Sequence, residues 1–390
     1  MLISYKNRAS LSAVLELAIR LETKRMQDKL IGSELLKSKP HFEILDGLRG
    51  LAAVVVVIFH FMEIIITDFS KNFIAHGYLA VDFFFCLSGF VVVYAYDNRI
   101  AGMGLKTFIK LRLIRLQPLV IIGSILGLFT FLFDPYNNLY AVYGFKETAL
   151  IFITSTFLIP YPVVSERYFN LFNLNAPSWS LFWEYVANLL YATVLFKATK
   201  KVLTLLTLLA AAGLFYVSWN SSGLLGGWSG GTFLDGFARI SFSFLMGMLI
   251  YRSNWIIKNK LGLLSMSALL LLAFITPYSK QWNWLVDPLL VILYFPLLVA
   301  LGAGASLASS HHKINTLSGA ISYPLYMTHY PFMWIFANYV TVEKPSIAEL
   351  MWVIPISVAS LIVLSYLVFK FLDFPIRNYL TDKLKARASY

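Results

Sequence analysis

Charged residues and cysteine are both scarce in this sequence. Of its 390 residues only 13% are charged and 58% are hydrophobic, whereas an average soluble domain carries about 25% charged residues. The mean hydropathy is +0.70. This balance indicates an integral membrane protein. Cys86 is the only cysteine, which excludes a disulfide framework and a thiolate metal site, so we expect it to be a small apolar core residue.

Several familiar catalytic motifs are also absent. The sequence contains no G-x-x-x-x-G-K-[ST] phosphate loop, no G-x-S-x-G nucleophile elbow and no H-E-x-x-H zinc motif. The adjacent His311 and His312 lie in a basic loop, so we expect no metal. The net charge of +12 would fit a nucleic-acid partner, but the basic residues form short clusters between long apolar runs. That pattern favours membrane orientation, and we expect no nucleic-acid partner.

The apolar runs predict an all-α, polytopic membrane helix bundle. A spanning helix needs roughly 20 mostly apolar residues, and fewer where it is broken or packed within protein. We expect about ten transmembrane helices and one re-entrant or interfacial segment at 147–163. The candidate segments lie near 48–66, 79–96, 117–133, 147–163, 178–197, 202–218, 233–251, 261–277, 284–307, 317–337 and 351–373.

Clusters of Lys and Arg predict which connections face the cytoplasm of a plasma (inner) membrane. The clusters alternate correctly only if 147–163 does not change sides, and both termini are then cytoplasmic. We divide the chain into a cytoplasmic arm (1–40), a transmembrane domain (41–380) and a cytoplasmic tail (381–390). Within the arm, 11–37 is either an amphipathic surface helix or a solvated tail. Beyond the arm, the basic clusters are Arg99, Lys106, Lys110, Arg112 and Arg115; Lys197, Lys200 and Lys201; Arg252, Lys258 and Lys260; His311, His312 and Lys313; and Arg377, Lys383, Lys385 and Arg387.

The first apolar run contains an arginine and a histidine. Such groups cost about 2.5 to 3.5 kcal/mol at the bilayer centre, so each is a functional hypothesis. Arg49 and His60 are eleven positions apart, which places them on one helix face about 16 Å apart along the axis. We expect Arg49 at the cytoplasmic mouth and His60 near mid-membrane, both facing one passage. The simpler alternative is a snorkelling arginine and a structural histidine.

Polar residues from other helices are predicted at overlapping depths. They converge with His60, which points to a water-accessible cavity; each alone could be a packing hydrogen bond. By contrast, Asp82 and Asp287 lie nearer the outer ends, where we expect an exposed or capping role. The converging residues are Ser88, Glu184, Tyr326 and His329.

A second arginine pair lies on the cytoplasmic side. Arg112 and Arg115 are three positions apart and therefore neighbours on a helical face. Together with Arg49 they would form a clamp for phosphate or pyrophosphate, because guanidinium groups bind such oxygens bidentately. Ordinary positive-inside flanking charge is the alternative.

The ordered set of motifs resembles the membrane-bound acyltransferase family 3, whose members modify polysaccharides and other cell-envelope acceptors. The resemblance extends from around His41 to around Arg377, nearly the whole chain. Asp373 is a departure, since glutamate is more frequent there. The matching stretches are LDGLRGLAAVVVVIFH with its Arg-x10-His spacing, FFFCLSGF, RLIRLQP, NAPSWSLFWE, ISYPLYMTHYP and DFPIR.

The resemblance implies an acyl-coenzyme A donor, often acetyl-CoA, that arrives from the cytoplasm and an acceptor on the outer side. The expected reaction is O-acyl transfer to a hydroxyl of an envelope carbohydrate or glycolipid. Membrane lipid and envelope-polysaccharide synthesis proteins are the implied partners. Arg49, Arg112 and Arg115 would bind the phosphates of coenzyme A.

Acyl transfer needs a general base and a donor to the oxyanion. We assign His60 as the base, because imidazole titrates near physiological pH. Glu184 would orient the acceptor or the imidazolium. Ser88, Tyr326 and His329 are candidates for holding the acceptor or donating to the oxyanion. A covalent acyl-enzyme on His60 or Ser88 is the alternative to direct transfer.

Two tryptophans lie at the outer start of one predicted helix. Trp179 and Trp183 would stack on a sugar face or form part of the interfacial aromatic belt.

A transporter or flippase for a lipid-linked saccharide or small metabolite would also place polar groups around a central cavity, but the sequence shows no matched halves. A scaffold of an envelope-synthesis complex would leave the buried ionisable groups unexplained.

Overall fold

The computed structural model describes residues 42–307 and 311–388, so the predicted arm (1–40) lies outside the described residues. Within those ranges the fold is all-helical, as predicted, and no strands are formed. The α-helices are α1 (Glu43–Ile65), α2 (Ala80–Tyr96), α3 (Ile100–Leu132), α4 (Leu139–Thr156), α5 (Ser178–Thr193), α6 (Lys200–Ser221), α7 (Phe233–Arg252), α8 (Leu263–Phe274), α9 (Asn283–Leu289), α10 (Phe295–Gly304), α11 (His312–Thr328), α12 (Tyr330–Glu343), α13 (Ile347–Val368) and α14 (Phe374–Ala388).

Seven helices in the described ranges are long and apolar enough to cross a membrane. They are α1, α2 with its leading turn, α3, α6, α7, the continuous α9–α10 helix and α13 with its continuation into α14. The chain is therefore a multi-pass membrane protein, while a count of about ten spans stays a prediction. Of the other expected spans, 178–197 and 261–277 contain the shorter helices α5 and α8, and 317–337 is divided between α11 and α12, which meet at His329.

Helix α3 begins earlier than the apolar run suggested. It covers 33 residues with a kink at Gly104, whose φ is 74°, and it includes the basic stretch that we expected to be a connection. Arg112 and Arg115 are therefore on adjacent turns of one helix, and the prediction that they are helical neighbours is confirmed. At the other end of the chain, the expected boundary between 380 and 381 falls inside α14, which continues to Ala388.

Small residues let the helices around the site approach closely. At Gly89 of α2 a Cβ atom would collide with the carbonyl of Phe244, and at Gly247 of α7 it would collide with the carbonyl of Cys86. Gly50 of α1 is similarly in contact with Ser318 of α11. The close contact between α1 and α11 brings the Arg49 side chain against α11. Cys86 is buried among apolar residues, as predicted.

Prolines inside helices leave carbonyl groups that neighbouring elements satisfy. Proline has no N–H, so the carbonyl four residues earlier loses its helical partner. Pro331 leaves the carbonyl of Met327 free, and the Asn175 side-chain amide donates to it over 2.8 Å. In the same way, the Ser218 hydroxyl donates to Trp284 O over 2.7 Å, four residues before Pro288. Such partners are what allows a broken helix to persist at membrane depth.

A buried ionic network joins α2, α7 and α9. The Arg239 guanidinium binds both carboxylate oxygens of Asp82, at 3.1 and 2.6 Å. The Asp287 carboxylate accepts from the Tyr78 hydroxyl (2.7 Å) and the Leu224 amide (2.7 Å). Both aspartates are fully buried, so the expectation of an exposed or capping role was wrong. Hydrophobicity locates these residues along a helix but does not reveal a distant arginine partner.

Candidate functional site

Two cavities lie at opposite ends of α1. The first, here called the basic cavity, has a volume of about 720 Å³ and is lined near the start of α1 by Glu43, Asp46 and Arg49. The second, here called the histidine cavity, has a volume of about 490 Å³ and is lined near the end of α1 by His60 and Glu63. The basic cavity also includes Ser88, Arg112, Arg115, Ser180, Glu184, Tyr323, Tyr326, Asp373 and Arg377.

Arg49 is held rigidly in the wall of the basic cavity. Its Nε donates to Ser322 Oγ and its Nη2 donates to the carbonyl of Gly319, both at 2.9 Å. Nη2 also lies 3.0 Å from Asp46 on the preceding turn of the same helix. The close packing of α1 on α11 therefore fixes this guanidinium, which contacts the cavity with its charge already paired.

Glu184 belongs to the basic cavity. Its Oε1 accepts from Arg112 Nη2 at 2.7 Å and from Ser88 Oγ at 2.8 Å. We expected Glu184 to orient the acceptor or the imidazole of His60, and its contacts are instead with α2 and α3. Ser88, expected near the acceptor or the oxyanion, is a hydrogen-bond partner of this same carboxylate. The three residues form one interhelical cluster because α2, α3 and α5 meet at this depth.

Arg115 differs from the other arginines of the basic cavity. It is exposed toward the cavity, and no carboxylate of the described residues pairs with it. Arg377, which the sequence reasoning did not select, also lines the cavity, and its Nη2 lies 2.7 Å from Asp373 Oδ2. Asp373 ends a π-helical turn (Phe369–Asp373) just before α14. The cavity therefore contains three paired guanidinium groups and one unpaired group.

The histidine cavity contains an imidazole–carboxylate pair within α1. His60 Nδ1 lies 2.5 Å from Glu63 Oε1. An ionised carboxylate can only accept, so Nδ1 carries the proton and Nε2 is the nitrogen with a free lone pair. The Tyr330 ring contacts the imidazole edge to face, with the ring centroids 4.8 Å apart. The geometry is that of a histidine base oriented by a carboxylate.

His329 lies behind this pair. Its ring stacks on that of His60 with centroids 5.4 Å apart and planes inclined by 21°. Its Nδ1 donates to the carbonyl of Leu325 over 3.0 Å, and the side chain is fully buried. Because His329 lines neither cavity, the structure places it against the back of His60. Direct contact with an acceptor was the expectation.

The expected single passage is divided in the structure. Of all the lining residues, only Val81 and Tyr326 belong to both cavities. The Tyr326 hydroxyl lies 2.8 Å from Ser180 Oγ, and the ring contacts Phe84 edge to face with centroids 5.7 Å apart. Arg49 and His60 therefore do lie along one helix, as predicted, but they face two adjoining cavities that have two lining residues in common.

Aromatic residues surround the rest of the histidine cavity. Trp179 lines it, and its ring also faces the Arg239 guanidinium, with 5.0 Å between the guanidinium carbon and the ring centroid. Trp183 lines neither cavity and packs on Phe233, with centroids 4.8 Å apart. The two tryptophans that we considered together are thus separated, and only Trp179 can reach a ligand here. The other aromatic lining residues include Tyr168, Trp228, Tyr330 and Trp334.

Glu63 and Arg377 are the functional candidates that the sequence reasoning missed. Glu63 is three positions after His60, so helical spacing alone would have placed them on one face. Arg377 belongs to the DFPIR stretch, but nothing in its spacing connects it to Arg49 or Arg115. Only the fold, which returns the end of α13 to the start of α1, brings these groups around one cavity.

Comparison with known proteins gives several matches. A family model described as an acyltransferase domain matches residues 42–370. Protein 2 in the picA locus of Rhizobium radiobacter is 34% identical over 183 residues, which cover 44% of this chain and 91% of that protein. The peptidoglycan O-acetyltransferase OatA of Listeria monocytogenes is 24% identical over 366 residues, 87% of this chain and 56% of that protein.

The O-acetyltransferase OatA of Staphylococcus aureus is 26% identical over 371 residues, which cover 88% of this chain and 58% of that protein. The chain therefore spans little more than half the length of either OatA protein. No solved structure matches the chain.

Proposed function

The chain belongs to the acyltransferase family whose model covers residues 42–370, and on that premise we propose that it transfers an acyl group from acyl-coenzyme A to a carbohydrate hydroxyl. The donor binds in the basic cavity and the acceptor in the histidine cavity. One observation carries the proposal: an arginine-lined cavity and a cavity with an oriented histidine adjoin each other, with Val81 and Tyr326 lining both. Family membership favours this enzyme over the transporter or flippase alternative.

The basic cavity suits the phosphates of coenzyme A. Guanidinium groups bind phosphate oxygens through two parallel hydrogen bonds. Arg115 forms no salt bridge with a carboxylate of the described residues, and it is exposed toward the cavity. Arg49, Arg112 and Arg377 keep further N–H groups at the cavity wall while their carboxylate partners hold them in place. The volume of about 720 Å³ is in the range of cofactor-sized sites.

The histidine cavity suits a sugar. Aromatic faces such as that of Trp179 bind the apolar face of a pyranose ring, and the polar rim offers hydrogen bonds. The two OatA relatives are named as O-acetyltransferases, one of them of peptidoglycan. We therefore take an envelope carbohydrate or glycolipid as the acceptor and acetyl as the acyl group.

The proposed reaction is a direct transfer. His60 Nε2 takes the proton of the acceptor hydroxyl while the hydroxyl oxygen attacks the thioester carbonyl carbon. Glu63 stabilises the resulting imidazolium. The tetrahedral intermediate collapses as the carbon–sulfur bond breaks, and the imidazolium returns the proton to the leaving thiolate. The Tyr326 ring lies at the boundary of the two cavities, between the donor side and the acceptor side. Ser88, bound to Glu184, supports the donor side.

The orientation in the membrane follows from the basic clusters. The basic cavity lies at the end where α1 begins, on the same side as the Lys- and Arg-rich connections. By the positive-inside rule that end faces the cytoplasm, where acyl-coenzyme A is made. The histidine cavity then faces the outer side of the inner membrane, where envelope carbohydrates are assembled. Both termini are cytoplasmic in this arrangement.

The proposal is tested by replacing the base. The His60→Ala variant should lose at least about 100-fold in transfer rate, the usual contribution of general base catalysis. The measurement is the acetate released by mild alkali from envelope carbohydrate of cells that express each variant. His311→Ala is the matched control, since that histidine lines neither cavity. Wild-type levels of ester acetate with His60→Ala at normal abundance would refute the assignment.

A further inference from the structure

Two side chains in the wall between the cavities line both of them. Val81 comes from α2 and Tyr326 from α11, and each lines both cavities. Tyr326 is 6% exposed. Every other lining residue belongs to one cavity only. Val81 and Tyr326 therefore stand at the boundary between the two cavities.

A hydrogen-bond chain holds the tyrosine in this position. Ser180 Oγ donates its single proton to the carbonyl of Pro177 over 2.9 Å. The 2.8 Å contact between Ser180 Oγ and Tyr326 Oη is therefore donated by the tyrosine. Ser180 lines the basic cavity, whereas Pro177 and Trp179 on the same turn line the histidine cavity. The hydroxyl is thus tied to the segment that an acceptor would contact.

Direct transfer requires the barrier to open. The attacking oxygen must come within about 3 to 3.5 Å of the carbonyl carbon, yet the oxygen is activated in one cavity and the thioester arrives in the other. On the basis of the proposed function, we infer that Tyr326 is a specificity-determining partition. Its ring separates the thioester from water in the histidine cavity, and it moves aside when an acceptor occupies the segment that holds Ser180.

A leak through this partition has a defined chemistry. Without the ring, His60 can take a proton from water in place of an acceptor hydroxyl. The water oxygen then bonds to the acyl carbon, the carbon–sulfur bond breaks, and the thiolate takes up a proton. The products are acetate and coenzyme A, and no further reactant is needed. Exclusion of water from a reactive intermediate is a recognised role of closed sites.

The test uses the purified full chain in lipid nanodiscs with acetyl-CoA and no acceptor. The free thiol of released coenzyme A is measured for wild type, Tyr326→Ala and Tyr326→Phe. We expect Tyr326→Ala to raise acceptor-free release by about tenfold. Tyr326→Phe keeps the ring, so its release should stay much closer to wild type. In cells, Tyr326→Ala should deposit less ester acetate on envelope carbohydrate.

Two further variants make the outcome decisive. Tyr294→Ala removes a partly buried tyrosine that lines neither cavity, so it should not raise acceptor-free release. Val81→Ala thins the same wall without removing the hydroxyl and should raise release in the same direction. If Tyr326→Ala is inactive in both assays, the acceptor-free release of coenzyme A by Val81→Ala tests the partition in its place. Wild-type release by both wall variants overturns the partition. A wild type that neither releases coenzyme A nor acetylates envelope carbohydrate would instead overturn the proposed function.

Discussion

Replacing Arg115 with alanine should weaken donor binding more selectively than any other arginine substitution in the basic cavity. Arg115 is exposed toward the cavity and has no carboxylate partner among the described residues. Its removal breaks no salt bridge of the described residues. Arg112 is different, because Glu184 accepts from it at 2.7 Å. Truncating Arg112 leaves that carboxylate with Ser88 alone, so Arg112→Ala should also destabilise the fold.

The expected magnitudes follow from the two environments. A hydrogen bond to a charged group contributes about 1.5 to 3 kcal/mol, which corresponds to about a 10- to 150-fold loss of affinity. Arg115→Ala should show this loss in the dissociation constant for coenzyme A with an unchanged melting temperature. Arg112→Ala should lower the melting temperature as well, because removing one partner of a buried ion pair costs about 3 to 5 kcal/mol and a partly exposed pair costs less.

The assay is calorimetric titration of coenzyme A into purified protein, together with thermal unfolding of each variant. Lys110→Ala is the matched control, since it removes one positive charge from the same helix at an exposed position outside the cavity. Arg115→Lys should recover part of the affinity, because lysine keeps the charge but not the planar fork. If Arg115→Ala binds coenzyme A no more weakly than Lys110→Ala, the phosphate assignment is wrong.

Three further predictions concern the histidine pair and the buried polar network. Glu63→Gln should lower the turnover number by about 100-fold or more with little change in donor affinity, because the imidazolium loses its counter-charge. Steady-state kinetics measure both quantities, and a change confined to the Michaelis constant would contradict this role. Asn175→Ala should destabilise the protein by about 1 kcal/mol, seen in thermal unfolding, by unpairing a carbonyl at the α11–α12 kink. Arg239→Leu should sharply reduce folded protein, whereas the double variant with Asp82→Leu should recover part of it, because an unpaired buried charge costs more than an absent pair; no recovery would contradict this account.

The proposed roles of the donor site and of the partition can be tested separately. Donor affinity depends on guanidinium groups at one end of α1, and coupling to the acceptor depends on the wall residues partway along it. A variant of Arg115 should therefore change how much acyl-coenzyme A is bound but not the share of it lost to water. A variant of Tyr326 should do the reverse. Measurement of affinity and of acceptor-free release on the same preparations tests both claims together.

Local patterns predicted those features that depend on neighbours along the chain. Helical spacing placed Arg49 and His60 on one helix and Arg112 beside Arg115, and the structure has both arrangements. The same helical spacing also places Glu63 beside His60. We did not predict this pair, because the carboxylate lies near the end of the apolar run. In each case the two residues lie on one helix, where distance follows from the backbone geometry.

Sequence alone determined the class of this protein: an all-helical membrane chain of an acyltransferase family with an arginine-rich end and a histidine in its first helix. Tertiary structure alone decided which groups meet. Glu184 pairs with Arg112, Asp82 pairs with Arg239, and Tyr326 separates two cavities because helices distant in the sequence pack together. Hydrophobicity and helical period report how each segment meets lipid and its own backbone, whereas the pairing of polar groups depends on the closest approach of different helices.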